Sequence, residues 1–237
     1  MTSGGAFPEL ILRFGDCLEK MKNITDHSID LVLTDPPYNI SKDNHFKTMG
    51  RSGIDFGEWD KNVDLLSYIE DVYRVLVAGG SFVVFNDWKN LGDIEKYSTH
   101  IGFESKDMIR LEKRNPMPRN RDRRYIVDYE CGIWFVKPGK AWTFNRIDPN
   151  YQRPKFVVSV KRGIHPTQKD LTAIKDLIQI HSNMGDVILD PYMGSGTTGV
   201  AALELNRKFI GIEKDFKYYT LAKNRILEYQ KQRGNHD

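Results

Sequence analysis

Short runs of apolar and β-branched residues alternate with helical patterns along most of this chain, and the alternation limits the folds open to it. Six such runs predict strands: Glu9–Phe14, Ile29–Thr34, Ser81–Asn86, Tyr129–Val136, Asp186–Asp190 and Lys208–Glu213. Five patterns predict helices: Asn62–Val77, closed by Gly79-Gly80, then Trp88–His100, Gln168–His181, Ser195–Leu205 and Asp215–Gln230. Because buried strands connected by helices form parallel sheets, the sequence predicts a doubly wound, mostly parallel α/β fold.

The length of 237 residues suits one α/β sheet with insertions, so we expect a single domain over residues 1–237. Residues 40–60 are polar and follow neither the helix nor the strand period, which predicts a mobile loop. No apolar run approaches the ~18 residues of a membrane span, and no signal-peptide pattern precedes the first strand. Cys17 and Cys131 show neither CxxC nor zinc-like spacing, which favours a reducing compartment. We therefore expect a cytoplasmic protein with no membrane partner.

Positive charge is concentrated in two stretches, although the formal net charge is only +3. The first stretch is interrupted by prolines, which predicts a basic loop, and its basic residues are Lys106, Arg110, Lys113, Arg114, Arg119, Arg121, Arg123 and Arg124. The second contains no acid, and its basic residues are Arg153, Lys155, Lys161, Arg162, His165 and Lys169. Loops of this kind can neutralise phosphates, so we predict a nucleic-acid-recognition region over about residues 106–169. Two solvated surface loops are the alternative.

A glycine-rich turn follows the predicted strand that ends at Asp190. Glycines at 194 and 196 allow the backbone to turn tightly and to approach a ligand, and the next helix then directs its free N–H groups to the same space. Glu213 ends the following strand, where a carboxylate can accept both hydroxyl protons of a ribose. No lysine follows the glycines as in a P-loop, which disfavours a nucleoside triphosphate. Glycines that serve only close packing are the alternative.

Asp35-Pro36-Pro37-Tyr38 follows its own predicted strand, at a carboxyl edge where open α/β sheets bind ligands. Proline removes backbone donors and fixes φ, so the segment offers carbonyl acceptors in a stiff frame. With the Asp35 carboxylate and the Tyr38 ring, this set suits a planar amino-purine. If the two strands are parallel neighbours, both motifs share one crevice. A proline-terminated strand with an incidental tyrosine is the alternative.

These motifs resemble those of the β-class S-adenosylmethionine-dependent DNA amino-methyltransferases, in which the catalytic motif precedes the glycine-rich cofactor motif, a circularly permuted order. The resemblance covers nearly the whole chain. Further matching segments are Gly15-Asp16-Cys17, Gly53–Asp60, Asn115–Asn120, Arg123–Tyr125 and His165-Pro166-Thr167-Gln168-Lys169. The chain departs from the family at Tyr192, where members usually have Phe. The Asp35 form of the tetrapeptide is typical of compact N6-adenine enzymes, because members acting on cytosine N4 more often have Ser there.

The resemblance implies methyl transfer from S-adenosylmethionine to an adenine flipped out of double-stranded DNA. The catalytic residues would be Asp35, Pro36, Pro37 and Tyr38. The cofactor would contact Asp190, Tyr192, Gly194, Ser195, Gly196 and Thr197 at its methionine end, His165, Thr167 and Lys169 near its methionine carboxylate, Glu213 at its ribose, and Asp16 with Cys17 at its adenine. No metal is expected, since the six histidines show no paired ligand spacing.

The basic loops and one tryptophan are the predicted DNA contacts. They are Trp59, Lys113, Arg114, Arg119, Arg121, Arg123, Arg124, Lys161 and Arg162. We expect Trp59 to close over the flipped base; alternatively, it anchors its loop to the sheet.

Three other functions stay open at this point: cytosine N4 methylation, methylation of RNA or of a protein glutamine, and a nucleic-acid-binding regulator with a relic cofactor fold. A homodimer and a cognate restriction endonuclease are candidate partners, and a bacterial or phage-encoded origin fits the resemblance. The recognition sequence cannot be inferred from the residues.

Overall fold

The computed structural model describes residues 9–38, 64–116, 123, 125–159 and 169–234. The strands in this part are β1 (Leu10–Phe14), β2 (Ile29–Thr34), β3 (Leu76–Asn86), β4 (Glu104–Lys113), β5 (Tyr129–Val136), β6 (Lys155–Val158), β7 (Val187–Asp190) and β8 (Lys208–Glu213). The helices are α1 (Cys17–Met21), α2 (Tyr68–Val75), α3 (Trp88–Ile101), α4 (Leu171–His181), α5 (Thr197–Glu204) and α6 (Phe216–Gly234). No helix of the described part is both long and apolar enough to cross a membrane.

All eight strands form one sheet in the order β1-β8-β7-β2-β3-β5-β4-β6. The neighbours from β1 to β3 are parallel, whereas β5 is antiparallel to both β3 and β4, and β6 is parallel to β4. The predicted mostly parallel α/β fold is therefore confirmed. The chain runs outward from β2 to β3 on one side and from β7 to β8 on the other, so the strand order reverses between β2 and β7. Such a reversal opens a crevice at the carboxyl edge of a parallel sheet.

Two hydrophobic clusters cover the two faces of the sheet. Alternate residues of β2 divide between them, because Leu31 and Leu33 belong to one cluster and Val32 to the other. The first cluster includes residues of α4, α5 and α6, and the second includes residues of α1, α2 and α3. Helices thus cover both faces, which leaves the strand ends as the place where a ligand can reach the sheet.

The prediction of a basic loop from Lys106 onward is wrong for its first half, because β4 runs to Lys113. Ile109 and Leu111 are buried at 3% and 1% exposure, while charged residues alternate with them toward solvent. This period of two is the pattern of a half-buried strand, and backbone pairing to β5 and β6 stabilises it. Residues 155–158 of the second basic stretch likewise form a strand, β6.

The predicted helix Asn62–Val77 is shorter in the structure, where α2 covers Tyr68–Val75. Asp64 accepts backbone hydrogen bonds from Leu66 and Ser67, which forms a turn before the helix. After Val75 the chain becomes extended and pairs with β2, so the two glycines expected to close the helix lie within β3. Tertiary pairing here outweighs helix propensity. The short helix α1 was not predicted.

Candidate active site

The two sequence motifs meet where the strand order reverses. The Thr34 hydroxyl, at the end of β2, donates to Asp190 Oδ1 at 2.9 Å, at the end of β7. The backbone N–H of Tyr192 donates to the same oxygen at 3.1 Å. Asp190 is only 4% exposed, and its burial raises the pKa of the carboxyl to about 7, although these donors oppose the shift. The predicted common crevice is therefore present, and a direct side-chain contact joins its two halves.

Asp35 lies at the end of β2 with both carboxylate oxygens engaged. Tyr38 donates its hydroxyl to Oδ1 at 2.5 Å, and Lys169 donates its ammonium to Oδ2. Burial raises the pKa of Asp35, while the Lys169 charge opposes the rise. Burial, followed by the nearby Asp35 charge, raises the pKa of Tyr38 well above its usual range. In this arrangement the tyrosine hydroxyl is a donor, and Asp35 accepts hydrogen bonds on both carboxylate oxygens.

A second carboxylate, Glu130 at the start of β5, faces the same lysine. Its Oε2 lies 3.1 Å from Lys169 Nζ, and its Oε1 lies 2.7 Å from Lys113 Nζ. Burial alone would raise the pKa of Glu130, but the two lysine charges outweigh it and bring the pKa to about 2. The sequence interpretation missed Glu130. The sequence feature that could have identified Glu130 is an acidic residue within an otherwise apolar strand.

Two asparagines support Asp35-Pro36-Pro37-Tyr38 from the neighbouring strand and helix. The Asn90 side chain, in the first turn of α3, donates to the Tyr38 carbonyl at 2.8 Å and to Asn86 Oδ1 at 2.7 Å. These contacts hold the end of the tetrapeptide against β3. Because Pro36 and Pro37 have no N–H, the anchoring comes from the side chains around them. Neither asparagine was among the predicted site residues.

The glycine-rich turn between β7 and α5 has the backbone geometry that requires glycine. Gly194 has φ of +48° and Gly196 has φ of +75°, in the left-handed region that other residues rarely adopt. Among the described residues, a Cβ at position 194 would meet only the Tyr192 carbonyl, at 3.9 Å, so these residues leave the space beside the turn open. Open space beside the Gly194 main chain suits a ligand that approaches the backbone closely.

Glu213, at the end of β8, holds this turn in place. Its Oε2 accepts the Gly194 N–H at 3.0 Å and its Oε1 accepts the Asp215 N–H at 2.8 Å. Burial raises the pKa of Glu213, and backbone hydrogen bonds from Asp215, Gly194 and Lys214 oppose the rise. A carboxylate has about four acceptor sites, so this residue can fix the turn and still accept a ligand hydroxyl.

Arg225 of α6 binds the other side of the turn through hydrogen bonds. Its guanidinium donates to the Ser195 carbonyl and to Thr197 Oγ1, each at 3.0 Å. The Ser195 and Thr197 hydroxyls also lie 3.2 Å apart. In this arrangement both hydroxyls stabilise the turn. Arg225 was not a predicted site residue.

The predicted adenine-side residues lie beside Glu213, at the end of β1. Asp16 caps α1 by accepting the Leu18 N–H at 3.0 Å. Cys17 is 6% exposed, and burial raises its pKa to about 11 even though the Tyr192 hydroxyl hydrogen-bonds to the thiol. The carboxyl ends of β1, β8, β7 and β2 thus bring most of the predicted catalytic and cofactor residues to one edge.

Several predicted residues lie outside the described part of the chain: Trp59, Arg119, Arg121, Arg124, Lys161, Arg162, His165 and Thr167, with the loop at 40–60. Of the remaining predicted DNA contacts, Arg114 and Arg123 are exposed. Lys113 instead pairs with Glu130, which also contacts Lys169. The described residues contain no group of three or more His, Cys, Asp or Glu arranged to hold a metal.

Comparison with known proteins gives consistent matches along the chain. A family model described as DNA methylase, N6_N4_Mtase, matches residues 29–224. The type II methyltransferase M.HinfI of Haemophilus influenzae is 32% identical over 90% of this chain and 67% of its own length. The type II methyltransferase M2.MboI of Moraxella bovis is 31% identical over 90% of this chain and 86% of its own. The crystal structure of M1.HpyAVI with SAM superposes with a TM-score of 0.74 at 33% identity, covering 92% of this chain and 99% of that one.

Proposed function

Since this chain belongs to the N6_N4_Mtase family of DNA methylases and is a DNA methyltransferase that uses S-adenosylmethionine, we propose that it methylates the N6 amino group of adenine in duplex DNA. The observation that carries the proposal is the hydrogen bond from Thr34 to Asp190. It joins the acceptor-rich segment that begins at Asp35 to the turn that would hold the cofactor.

The residues around the glycine-rich turn fit S-adenosylmethionine. The open side of Gly194 leaves room for the methionine part of the ligand, and Glu213 offers carboxylate oxygens to ribose hydroxyls. Asp16 and Cys17, at the neighbouring strand end, would contact the adenine ring. When bound, S-adenosylmethionine supplies a methyl group that is already activated on a sulfonium. The protein therefore has to bind, orient and exclude water.

Asp35 would act by orienting the target amino group. The amino nitrogen of adenine is a poor nucleophile because its lone pair is delocalised into the ring. Hydrogen bonds from the amino protons to the Asp35 carboxylate and the Pro36 carbonyl favour a pyramidal nitrogen with a localised lone pair. Removing one preorganised partner of this kind costs about 3–4 kcal/mol of transition-state stabilisation in comparable sites.

The target base has to leave the duplex to reach Asp35, because its amino group is hidden in the base pair. Extrusion costs a few kcal/mol, and stacking on an aromatic ring such as that of Tyr38 recovers roughly 1–3 kcal/mol. The exposed Arg114 and Arg123 would hold the distorted backbone through phosphate contacts. Trp59 and the basic residues outside the described part remain predicted contacts of the same kind.

Asp35→Ala tests the catalytic assignment. We expect at least a 100-fold loss of DNA methylation, because the carboxylate acceptor is removed, while S-adenosylmethionine affinity measured by calorimetry changes less than about threefold. Asp93→Asn, an exposed carboxylate on α3, is the control and should retain activity. Loss of both methylation and cofactor binding would assign Asp35 a structural role instead.

Mass analysis of the nucleosides from methylated duplex DNA tests the choice of base. N6-methyladenine is the expected product, and N4-methylcytosine would contradict the proposal. Single-stranded RNA and a glutamine-containing peptide serve as alternative substrates, and methylation of either in place of duplex DNA would also refute it.

We also propose that residues 1–237 form one catalytic domain. A homodimer and a cognate restriction endonuclease remain candidate partners. Size measurement in solution tests the first, and co-purification from the native host tests the second.

A further inference from the structure

The ammonium of Lys169 is surrounded by three acceptors in the catalytic crevice. It donates to Asp35 Oδ2, lies 3.1 Å from Glu130 Oε2 and lies 3.3 Å from the Tyr38 hydroxyl oxygen. A lysine ammonium has three N–H donors, so these contacts match its full capacity. The side chain is only 10% exposed. Lys169 is thus directed at the catalytic carboxylate, although its sequence context suggested the cofactor's methionine carboxylate.

The Lys169 charge favours the ionised form of Asp35, which burial disfavours. In the described part of the chain, the other ionisable groups that face Asp35 are Tyr38, Glu130, Asp190 and Tyr68. None of these four supplies positive charge. A protonated Asp35 would present one hydroxyl donor in place of an acceptor, and it would meet the target amino group with the wrong hydrogen-bonding partner.

Glu130 keeps Lys169 in position independently of Asp35. Lys113 pairs with one oxygen of Glu130 at 2.7 Å, and Lys169 contacts the other. The group therefore consists of two carboxylates and two ammonium groups with no net charge. When a target amino group becomes a donor to Asp35, Lys169 can weaken its own hydrogen bond to Asp35 and remain attached to Glu130. Its charge then stays within the crevice.

We propose that Lys169, anchored by Glu130, is a positioning residue that keeps Asp35 ionised and oriented toward the target amino group during methyl transfer. The proposal rests on the proposed function. It assigns Lys169 to the carboxylate that accepts the base and separates it from the residues that bind the cofactor.

The pH dependence of Asp35 is the decisive measurement. Single-turnover methylation at saturating S-adenosylmethionine and DNA is followed from pH 5 to pH 9 for the wild type and Lys169→Met. Removing the ammonium should move the acid limb of the rate profile to higher pH by about one unit or more. The reason is that the Lys169 charge is the main influence that lowers the pKa of Asp35 against the effect of burial. The variant should therefore be about tenfold slower on the acid limb and recover as the pH rises.

Three further variants separate charge from folding. Lys169→Arg retains the positive charge and should keep the acid limb close to that of the wild type. Lys175→Met, on α4 and paired with Glu204 at 2.5 Å, is the matched control and should leave the profile unchanged. If the single variant does not fold, Lys169→Met is combined with Glu130→Gln, which removes the carboxylate oxygen that would have lost its Lys169 partner. The acid limb of this double variant should still lie above that of the wild type, because Lys169 affects Asp35 more than Glu130 does.

Carbon-13 NMR titration of the Asp35 carboxyl provides a readout that does not require catalysis. We expect its midpoint to rise by about one pH unit or more in Lys169→Met or, if that variant does not fold, in the double variant. An unchanged midpoint overturns the proposal. The proposal is also overturned if Lys169→Met leaves the acid limb of the rate profile unchanged and binds S-adenosylmethionine about tenfold more weakly. That result would place Lys169 at the cofactor. A wild type that methylates no DNA while the midpoint still shifts would refute the proposed function and support the coupling of Lys169 to Asp35.

Discussion

Replacing Asp190 with Asn should remove a pH dependence from the stability of the ligand-free protein. The Asp190 carboxyl is 4% exposed at the end of β7, and its pKa is about 7 in the folded state against an ordinary value of 3.8. A carboxyl whose folded pKa is raised contributes stability fully below the ordinary value, and this contribution is lost as the pH rises through the folded value. A rise of about three units corresponds to about 4 kcal/mol between pH 4 and pH 8.

Asn is a suitable replacement because one oxygen, Oδ1, accepts from both Thr34 and the Tyr192 N–H. An amide carbonyl can keep both bonds but cannot ionise. The free energy of unfolding of Asp190→Asn minus that of the wild type should therefore increase by about 4 kcal/mol from pH 4 to pH 8. Contributions from carboxylates that do not interact with Asp190, such as Glu130, cancel in this difference.

Urea denaturation at intervals of half a pH unit measures the difference, with the m-value checked for two-state unfolding. Asp93→Asn is the control, because its carboxylate is exposed and its difference from the wild type should vary little with pH. A difference for Asp190→Asn that stays constant within about 0.5 kcal/mol across the range would refute the reasoning, because the raised pKa requires a change of about 4 kcal/mol.

Two further predictions concern packing and DNA binding. A Cβ at Gly199 would lie 2.5 Å from the Ile226 side chain, so Gly199→Ala should lower the free energy of unfolding by about 1–3 kcal/mol. A Cβ at Gly92 would meet no described residue within 4 Å, so Gly92→Ala should raise the free energy of unfolding by about 0.5–1 kcal/mol. Equal effects of the two substitutions in urea denaturation would contradict this. Arg123→Ala should weaken DNA binding at low salt and reduce the slope of log affinity against log salt by about 1, measured by fluorescence anisotropy. An unchanged slope would remove Arg123 from the interface.

Local patterns in the sequence were sufficient for the central part of the fold. The parallel strands β1, β2, β7 and β8 are short apolar runs bounded by polar or glycine residues. Such a run can be recognised without knowledge of the strands that it pairs with. The glycines at 194 and 196 were informative for a similar reason, since the left-handed backbone they adopt depends on the residue itself. The order of the motifs along the chain also implied that both lie at carboxyl strand ends.

The strands β4 and β6 were missed because their charged residues were interpreted as a basic loop. Lys106 and Arg110 lie on a strand whose apolar residues, Ile109 and Leu111, face the core. Each strand is held by pairing to a partner that is distant in sequence or of opposite direction, and no single segment contains that information. Charge alone therefore could not distinguish a solvated loop from a half-buried strand.

The strand and helix alternation, the acceptor-rich tetrapeptide and the glycine turn can be identified from the amino-acid order, because periodicity, rigid prolines and backbone freedom are properties of adjacent residues. Which charges meet depends on the folded arrangement: Lys169 contacts Asp35, 134 positions away, and Glu130 lies on a different strand. A charge network depends on distances and burial that arise when the sheet assembles. The ionisation state of Asp35 is therefore a property of the folded crevice, while its presence at a strand end is a property of the sequence.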